Sequence, residues 1–170
     1  MQVRRLGSDE WERFRSVRLR ALADAPDAFG ATYDEEAALT KADWRRRLES
    51  PDRAVFVVDE GAGSDGPGTP YEAVALATGG PAPDFPNVAA LYGMWVAPEA
   101  RGQGHGEALV DAVKTWAVEA GYPALGLGVT TTNAPAIALY QRVGFLDSGD
   151  RYPLREGTGL TIQIMVMSLT

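Results

Sequence analysis

VAPEARGQGHGEAL, residues 96–109, joins an apolar strand pattern to a helix pattern through three closely spaced glycines. Gly102, Gly104 and Gly106 permit backbone angles that are closed to other residues, and they let main-chain N–H groups approach an anion. The N-terminus of the helix that follows adds about half a positive charge. The stretch therefore predicts a strand–loop–helix unit whose loop is able to hold a diphosphate.

Two well-known phosphate-binding motifs do not fit this loop. No Gly-Lys-Ser/Thr follows the glycines, which excludes a P-loop, and the spacing G-x-G-x-G is one residue short of the dinucleotide fingerprint. Taken alone, the glycines are equally compatible with a tight strand-to-helix connection that binds nothing.

Hydrophobic spacing predicts further helices and strands on both sides of the loop. Helices are expected from Ser8, as N-cap, and at 40–50, where Thr40 and Asp43 form a capping box. The other predicted elements are strands at 54–58, 71–78 and 89–96, a helix at 107–120, a strand at 124–130, a helix at 134–143, and strands near 145–152 and 160–169. This order predicts an α/β (α+β) fold with one parallel crossover. The Gly/Pro-rich loop at 59–70 is the segment expected to be disordered.

Composition indicates one globular domain, spanning residues 1–170. The chain has no cysteine and a single histidine, which excludes disulfides and a multi-histidine metal site, so we expect no metal. A net charge of −7 argues against nucleic acid as a partner. Neither a membrane span nor a signal peptide is readable, and a cytoplasmic location with no membrane partner is expected.

Two stretches resemble the Gcn5-related N-acetyltransferase (GNAT) family. Arg101–Gly106 resembles its signature Q/R-x-x-G-x-G/A, and Val96-Ala97-Pro98 resembles the strand ending before it. About thirty residues later, NAPAIALYQRVGF at 133–145 resembles the family's second motif, in which an Asn opens a short helix, a Tyr follows two turns later and Gly-Phe ends it. The resemblance covers about residues 89–152.

The resemblance implies a mixed, mostly antiparallel central sheet with helices on both faces, and acetyl-CoA as cosubstrate. The cofactor-binding core would be 89–152, with acceptor-side helices at 8–50. By resemblance, Tyr140 would protonate the departing thiolate as a general acid, while Asn133 would cap its helix and contact the cofactor. The implied cofactor-binding residues are Trp95, Val96, Ala97, Arg101, Gly102, Gln103, Gly104, His105, Gly106, Asn133, Ala136 and Tyr140.

A direct attack of an amine on the thioester is the implied mechanism. The family frees a backbone amide at a strand bulge, expected here near 94–96, to polarise the thioester carbonyl. A base must also deprotonate the amine. Asp34, Glu35, Glu36 or a water are the candidates, although each acid is otherwise a solvated surface charge. His105 is expected to be exposed and non-essential.

The acceptor is predicted to be a small-molecule amine or a peptide amine. The acids at 34–36 favour a cationic one. A catalytically degenerate CoA-binding regulatory domain is the alternative function, and a nucleotide-binding module is a third interpretation. A homodimer could form through the apolar terminal stretch GLTIQIMVMSLT, residues 159–170.

Overall fold

The computed structural model describes residues 2–59 and 72–170 and contains a seven-stranded sheet in the order β1-β2-β3-β4-β5-β7-β6. Its strands are β1 Val3–Arg5, β2 Ala54–Asp59, β3 Ala73–Ala82, β4 Phe85–Val96, β5 Ala124–Thr130, β6 Leu146–Pro153 and β7 Thr161–Ser168. The α-helices of the described residues are α1 Trp11–Asp24, α2 Tyr33–Ala37, α3 Lys41–Glu49, α4 His105–Glu119 and α5 Ala134–Arg142. The predicted loop at 59–70 lies outside the described residues, except for its first position.

Helices cover both faces of the sheet. A Cβ built on Gly79 of β3 would meet Trp116 of α4, whereas one built on Gly93 of β4 would meet Arg18 of α1 and, at 3.8 Å, Thr78. Because the neighbours Thr78 and Gly79 point to opposite faces of their strand, α1 and α4 lie on opposite sides. The predicted fold, a mixed and mostly antiparallel sheet between helices, is confirmed.

The core joins the N-terminal helices to the later strands in one hydrophobic cluster. Trp44 of α3 is fully buried, and its ring meets Phe14 of α1 edge to face at 5.2 Å. Val113 of α4 and Phe145 before β6 are equally buried. Burial of these large apolar side chains is the main term that holds the helices on the sheet.

Strands β4 and β5 form the one parallel pair of the described sheet, as the predicted crossover requires. Their pairing is short and joins Val88–Ala90 to Ala124–Gly126. Beyond these residues the two strands separate, so that the sheet opens at the carboxyl ends of β4 and β5. This opening prepares a cleft next to the glycine loop.

A β-bulge interrupts β4 just before the loop. Leu76 pairs with Trp95 and Thr78 pairs with Tyr92, so two steps along β3 span three along β4. Gly93 has a φ of 64°, which is the backbone conformation that such bulges favour for glycine. The predicted bulge is present, one residue earlier than expected, at Gly93 and the residue that follows it.

Several predicted helix boundaries hold and one is wrong. Thr40 and Asp43 form the expected capping box at the start of α3. Ser8 is not the N-cap of α1, because a 3₁₀ turn at Ser8–Glu10, itself capped by Gly7, precedes the α-helix. The short elements β1 and α2 were not predicted.

The terminal stretch 159–170 is placed differently from the prediction. Its strand β7 lies between β5 and β6, so hydrogen bonds occupy both of its edges. A dimer through β7 edge pairing would require β6 to leave the sheet. No helix of the described residues is long and apolar enough to cross a membrane.

Candidate active site

A cavity of about 690 Å³ lies where β4 and β5 separate. Its volume falls in the range of small-molecule and cofactor sites, about 300–1,000 Å³. Of the twelve residues predicted to bind a cofactor, nine line it: Trp95, Val96, Arg101, Gly102, Gly104, His105, Gly106, Asn133 and Ala136. The structure therefore brings both sequence motifs to one cleft.

The glycine loop lines this cavity and leaves open space beside its backbone. Gly102 and Gly104 have φ values of 76° and 84°, and a Cβ on either would meet nothing within 4 Å, so the space beside them is open. Gly104 is the N-cap of α4 and supplies no side-chain acceptor to the first turn. This 15-residue helix has no side-chain cap at its N-terminus, which is a place where the helix dipole favours an anion.

A third glycine lets the helices around the cavity approach each other. A Cβ on Gly106 would lie 2.9 Å from Cδ2 of Leu139 in α5 and 3.2 Å from Cε of Met94 in β4. Glycine at this position allows α4, α5 and β4 to pack closely, and a larger residue would make the ends of the Leu139 and Met94 side chains shift. Arg142 and Glu107 form an ion pair of 2.8 Å at the rim, which also ties α5 to α4.

Asp24, at the end of α1, holds the glycine loop through hydrogen bonds. One of its oxygens, Oδ2, accepts hydrogen bonds from Nε1 of Trp95 at 2.9 Å and from Nη2 of Arg101 at 3.0 Å. Nε of Arg101 donates to the Val96 carbonyl at 3.0 Å. Through these contacts, the side chains of Trp95 and Arg101 hold the loop in position. Sequence reasoning missed Asp24, because nothing in the α1 sequence pattern marks it.

Asn133 begins α5 at the opposite wall. Its side-chain carbonyl accepts a hydrogen bond from the Ala136 N–H at 3.3 Å, which confirms the predicted N-cap. Pro135 sits in the first turn, where its missing N–H costs nothing. The cap aims the N-terminus of α5 at the cavity that Asn133 and Ala136 line.

Tyr140 is buried beside the cavity and does not line it. Its side chain is 6% exposed, and its ring contacts Phe145 edge to face at 5.7 Å. Burial raises the pKa of the Tyr140 phenol, since a phenolate is poorly solvated there. The hydroxyl therefore stays protonated at any ordinary pH.

Three other predicted residues occupy distinct environments. His105 is only 9% exposed, so the expectation that it is exposed is wrong; it is the first residue of α4 and packs into the protein. Ala97 is fully buried, and its N–H donates to the Val74 carbonyl at 2.7 Å. Gln103 is exposed at the tip of the loop and does not line the cavity.

The acids proposed as general bases are not equivalent. Asp34 is exposed, and Glu35 accepts the Thr32 N–H at 3.1 Å in a capping box. Glu36 is buried between Arg18, at 2.8 Å, and Arg47, at 3.2 Å. Burial alone would raise the pKa of Glu36, but the hydrogen bonds and charges of the two arginines outweigh it and hold that pKa below its usual value. Glu36 is thus not the solvated surface charge that was expected, and it is a poor proton acceptor.

Known proteins share this architecture. The sequence model of the acetyltransferase (GNAT) family matches residues 12–145. The Brucella melitensis ribosomal-protein-alanine N-acetyltransferase structure superposes with a TM-score of 0.74 over 99% of both chains, at 20% identity. The Salmonella typhimurium protein yncA, solved with its cofactor acetyl-CoA, superposes with a TM-score of 0.71 over 100% of this chain and 94% of its own, at 19% identity. At these identities the two structures show a shared fold.

A curated relative matches at higher identity. The mycothiol acetyltransferase of Pseudarthrobacter chlorophenolicus is 34% identical over 132 residues, which are 75% of this chain and 40% of that protein. The chain thus spans less than half of the relative's length. Since the family model covers most of the chain and the fold agrees with solved family structures, the chain belongs to the GNAT acetyltransferase family.

Proposed function

We propose that this GNAT acetyltransferase moves the acetyl group of acetyl-CoA to a primary amine by direct attack. The observation that carries the proposal is the cavity at the opening of the sheet, where the N-terminus of α4, which has no side-chain cap, meets the separated ends of β4 and β5. The diphosphate would bind the amides of the glycine loop, and the cleft between the strands would take a long narrow arm. Acetyl-CoA, when bound, supplies an activated acetyl thioester.

The cofactor would be held mostly by main chain. Gly102, Gly104 and Gly106 would present their amides to the diphosphate, with His105 as the buried first residue of α4. Arg101, fastened by Asp24, would act by holding the loop in shape. The residues proposed from sequence remain the proposed set, with Ala97, Gln103 and Tyr140 placed next to the lining of the cavity.

The bulge in β4 would polarise the thioester carbonyl. The register shift lies opposite Ala77 of β3, and the extra residue would leave one amide near Gly93 and Met94 outside the ladder. Met94 lines the cavity, which supports a position of this amide at the inner end of the cavity. One such donor is typically worth about 10²–10³ in rate.

The transfer would form a C–N bond and break the C–S bond. Tyr140, kept neutral by burial, would donate its proton to the departing sulfur and regain one from solvent. Because Glu36 is held in ion pairs, a water at the mouth of the site is the proposed acceptor of the amine proton. The chain therefore supplies position and polarisation, and no side chain becomes covalently modified.

A thermal-shift and turnover experiment tests the proposal. Acetyl-CoA at 100 times its dissociation constant would stabilise the protein by about 2.7 kcal/mol, a rise in melting temperature of about 5–10 °C. An amine panel read by free-thiol release then reports transfer. NAD and ATP serve as controls for a nucleotide-binding module and should not stabilise the chain. Absence of an acetyl-CoA shift would overturn the proposal, and a shift without thiol release would indicate a degenerate binding domain.

A further inference from the structure

A second, much smaller cavity lies on the α1 face of the sheet at the bulge. Its volume is about 50 Å³, which is room for a group of a few atoms. Residues from α1, α3, β3 and β4 line it, among them Arg18, Arg47, Arg53, Thr78, Tyr92 and Gly93. Among the described residues that line this arginine-lined cavity, none is acidic.

The arginines around this cavity carry more charge than their neighbours neutralise. Glu36 is the buried acid that meets two of them, Arg18 at 2.8 Å and Arg47 at 3.2 Å. Arg53 has its guanidinium carbon 5.7 Å from the centre of the Tyr92 ring, and it makes no ion pair with the described residues. Three guanidinium groups thus face two nearby carboxylates, those of Glu36 and Asp52, which leaves a local excess of one positive charge in a protein whose net charge is −7.

Tyr92 lines the same cavity. Its hydroxyl oxygen is buried and has no hydrogen-bond partner among the described residues. Gly80 makes room for it, because a Cβ at that position would clash with the Tyr92 hydroxyl. Buried polar groups are nearly always hydrogen-bonded, so an orphaned hydroxyl beside arginines indicates a place where an acceptor group binds.

The cavity also lies next to the proposed reaction centre. Gly93 lines the arginine-lined cavity, while the next residue, Met94, lines the large cavity on the other side of the bulge. The bulge of β4 therefore borders both cavities.

We infer that the acceptor is a short amino acid whose carboxylate binds in the arginine-lined cavity, against Arg53 and the Tyr92 hydroxyl, while its amine faces the bulge. This rests on the proposed acetyl transfer and names its substrate class. It replaces the cationic acceptor suggested by the acids at 34–36, because the buried member of that group, Glu36, is already occupied by arginines.

Matched acceptor pairs test the inference. Glycine and β-alanine are compared with glycinamide and β-alaninamide in the thiol-release assay, with spermidine as a cationic probe and phosphoethanolamine as a phosphate probe. In parallel, the binding of each compound to the protein with CoA is measured by calorimetry, which needs no turnover. The carboxylates should bind about tenfold or more tightly than their amides, the gain expected of a charge-assisted hydrogen bond.

Two variants and a control locate the site. Arg53→Gln and Tyr92→Phe should each raise KM for the carboxylates about tenfold, with KM for acetyl-CoA unchanged. Tyr92→Phe should leave the melting temperature unchanged or higher, because it removes an orphaned hydroxyl. Arg46→Gln alters an arginine on the same helix as Arg47 that is paired with Asp43 at 3.2 Å, and it should change neither constant.

Each outcome decides between the two proposals. Three results would overturn the amino acid acceptor and leave acetyl transfer standing. These are equal turnover of the carboxylates and their amides, a preference for spermidine, and a preference for phosphoethanolamine. Carboxylate binding that depends on Arg53, without thiol release, would support the anion site and overturn the transfer. Neither binding nor turnover would overturn both.

Discussion

Variants of two glycines at opposite ends of α4 distinguish a loss of cofactor binding from the cost of backbone strain. Gly104 precedes the helix with a φ of 84°, Gly121 follows it with a φ of 85°, and a Cβ on either would meet nothing within 4 Å. Alanine in this conformation costs about 1–2 kcal/mol at either position. We expect Gly104→Ala to weaken acetyl-CoA binding about tenfold, since its methyl group obstructs the amides, and Gly121→Ala to leave it unchanged.

The measurement is the dissociation constant for acetyl-CoA by calorimetry, beside the free energy of unfolding by urea. If the two variants lose equal stability but only Gly104→Ala loses affinity, the result would support binding of the diphosphate by the glycine loop. Equal affinities in the two variants would show that the loop does not hold the diphosphate.

Tyr140 provides the second test at the residue scale. Tyr140→Phe removes the proposed proton donor and keeps the ring on Phe145, so we expect kcat to fall about 100-fold while acetyl-CoA binds as before. Tyr152→Phe, at an exposed tyrosine of β6, is the control and should be neutral. Rates under single-turnover conditions separate chemistry from product release. An unchanged kcat would remove Tyr140 from the mechanism.

Individual site residues could be predicted from sequence where the local backbone conformation allows only a few residue types. The glycines and Asn133 are of this kind, because a positive φ or an N-cap selects few side chains. Asp24 and the partners of Glu36 could not be predicted. Arg18 and Arg47 lie 18 and 11 residues from Glu36 along the chain and meet it only through the fold.

At the scale of elements, the N-cap of α5 can be compared with that of α3. Asn133 and Thr40 each accept an N–H of the first turn, at 3.3 Å and 3.2 Å. Asn133→Ala and Thr40→Ala should each lower the free energy of unfolding by about 1 kcal/mol. Because α5 borders the large cavity and α3 does not, we expect acetyl-CoA affinity to fall only in the first variant.

Thermal denaturation with and without acetyl-CoA measures both effects at once. The Thr40→Ala variant should show the full ligand-induced shift from a lower starting temperature. If Asn133→Ala also kept the full shift, its cap would be structural only.

Elements were predictable where they are long and periodic. The helix after the glycine loop and the strand 124–130 were found because their apolar residues repeat at helix or strand spacing over several positions. β1, with only three residues, and α2, with five, contain too few repeats to show a period. Predicted strands at 71–78 and 89–96 were short at one end, since hairpin pairing extends β3 and β4 to Ala82 and Phe85.

For the whole molecule, the sequence predicts which segments form strands and does not predict their order in the sheet. The apolar pattern of the terminal stretch indicates a strand, but it does not indicate the neighbours of that strand. Only tertiary packing inserts β7 between β5 and β6. That insertion leaves β6 as the exposed edge, with Leu146 72% exposed. The two cavities depend on the same long-range features, because the sheet opening and the bulge arise from pairing between distant segments.

The ion pairs of Glu36 link α1, α2 and α3 over the sheet, and they predict how the whole molecule responds to acid. Although burial alone would raise the pKa of Glu36 in the folded protein, the arginines lower that pKa below the ordinary value of a glutamate. The stabilisation is therefore complete above about pH 4.5 and is lost as the pH falls through the folded pKa. Glu36→Gln leaves Arg18, with a side chain only 14% exposed, without its counter-charge, and should cost about 3 kcal/mol at pH 7.

Urea unfolding of the wild type and Glu36→Gln from pH 7 to pH 3 measures this contribution. We expect the two stability curves to run parallel above about pH 5 and to converge below about pH 4, because protonation of Glu36 removes in the wild type what the variant already lacks. Asp34→Asn, at an exposed acid in the same helix, is the control and should follow the wild type throughout. Curves that stay parallel to pH 3 would show that the Glu36 carboxylate does not hold the three helices together.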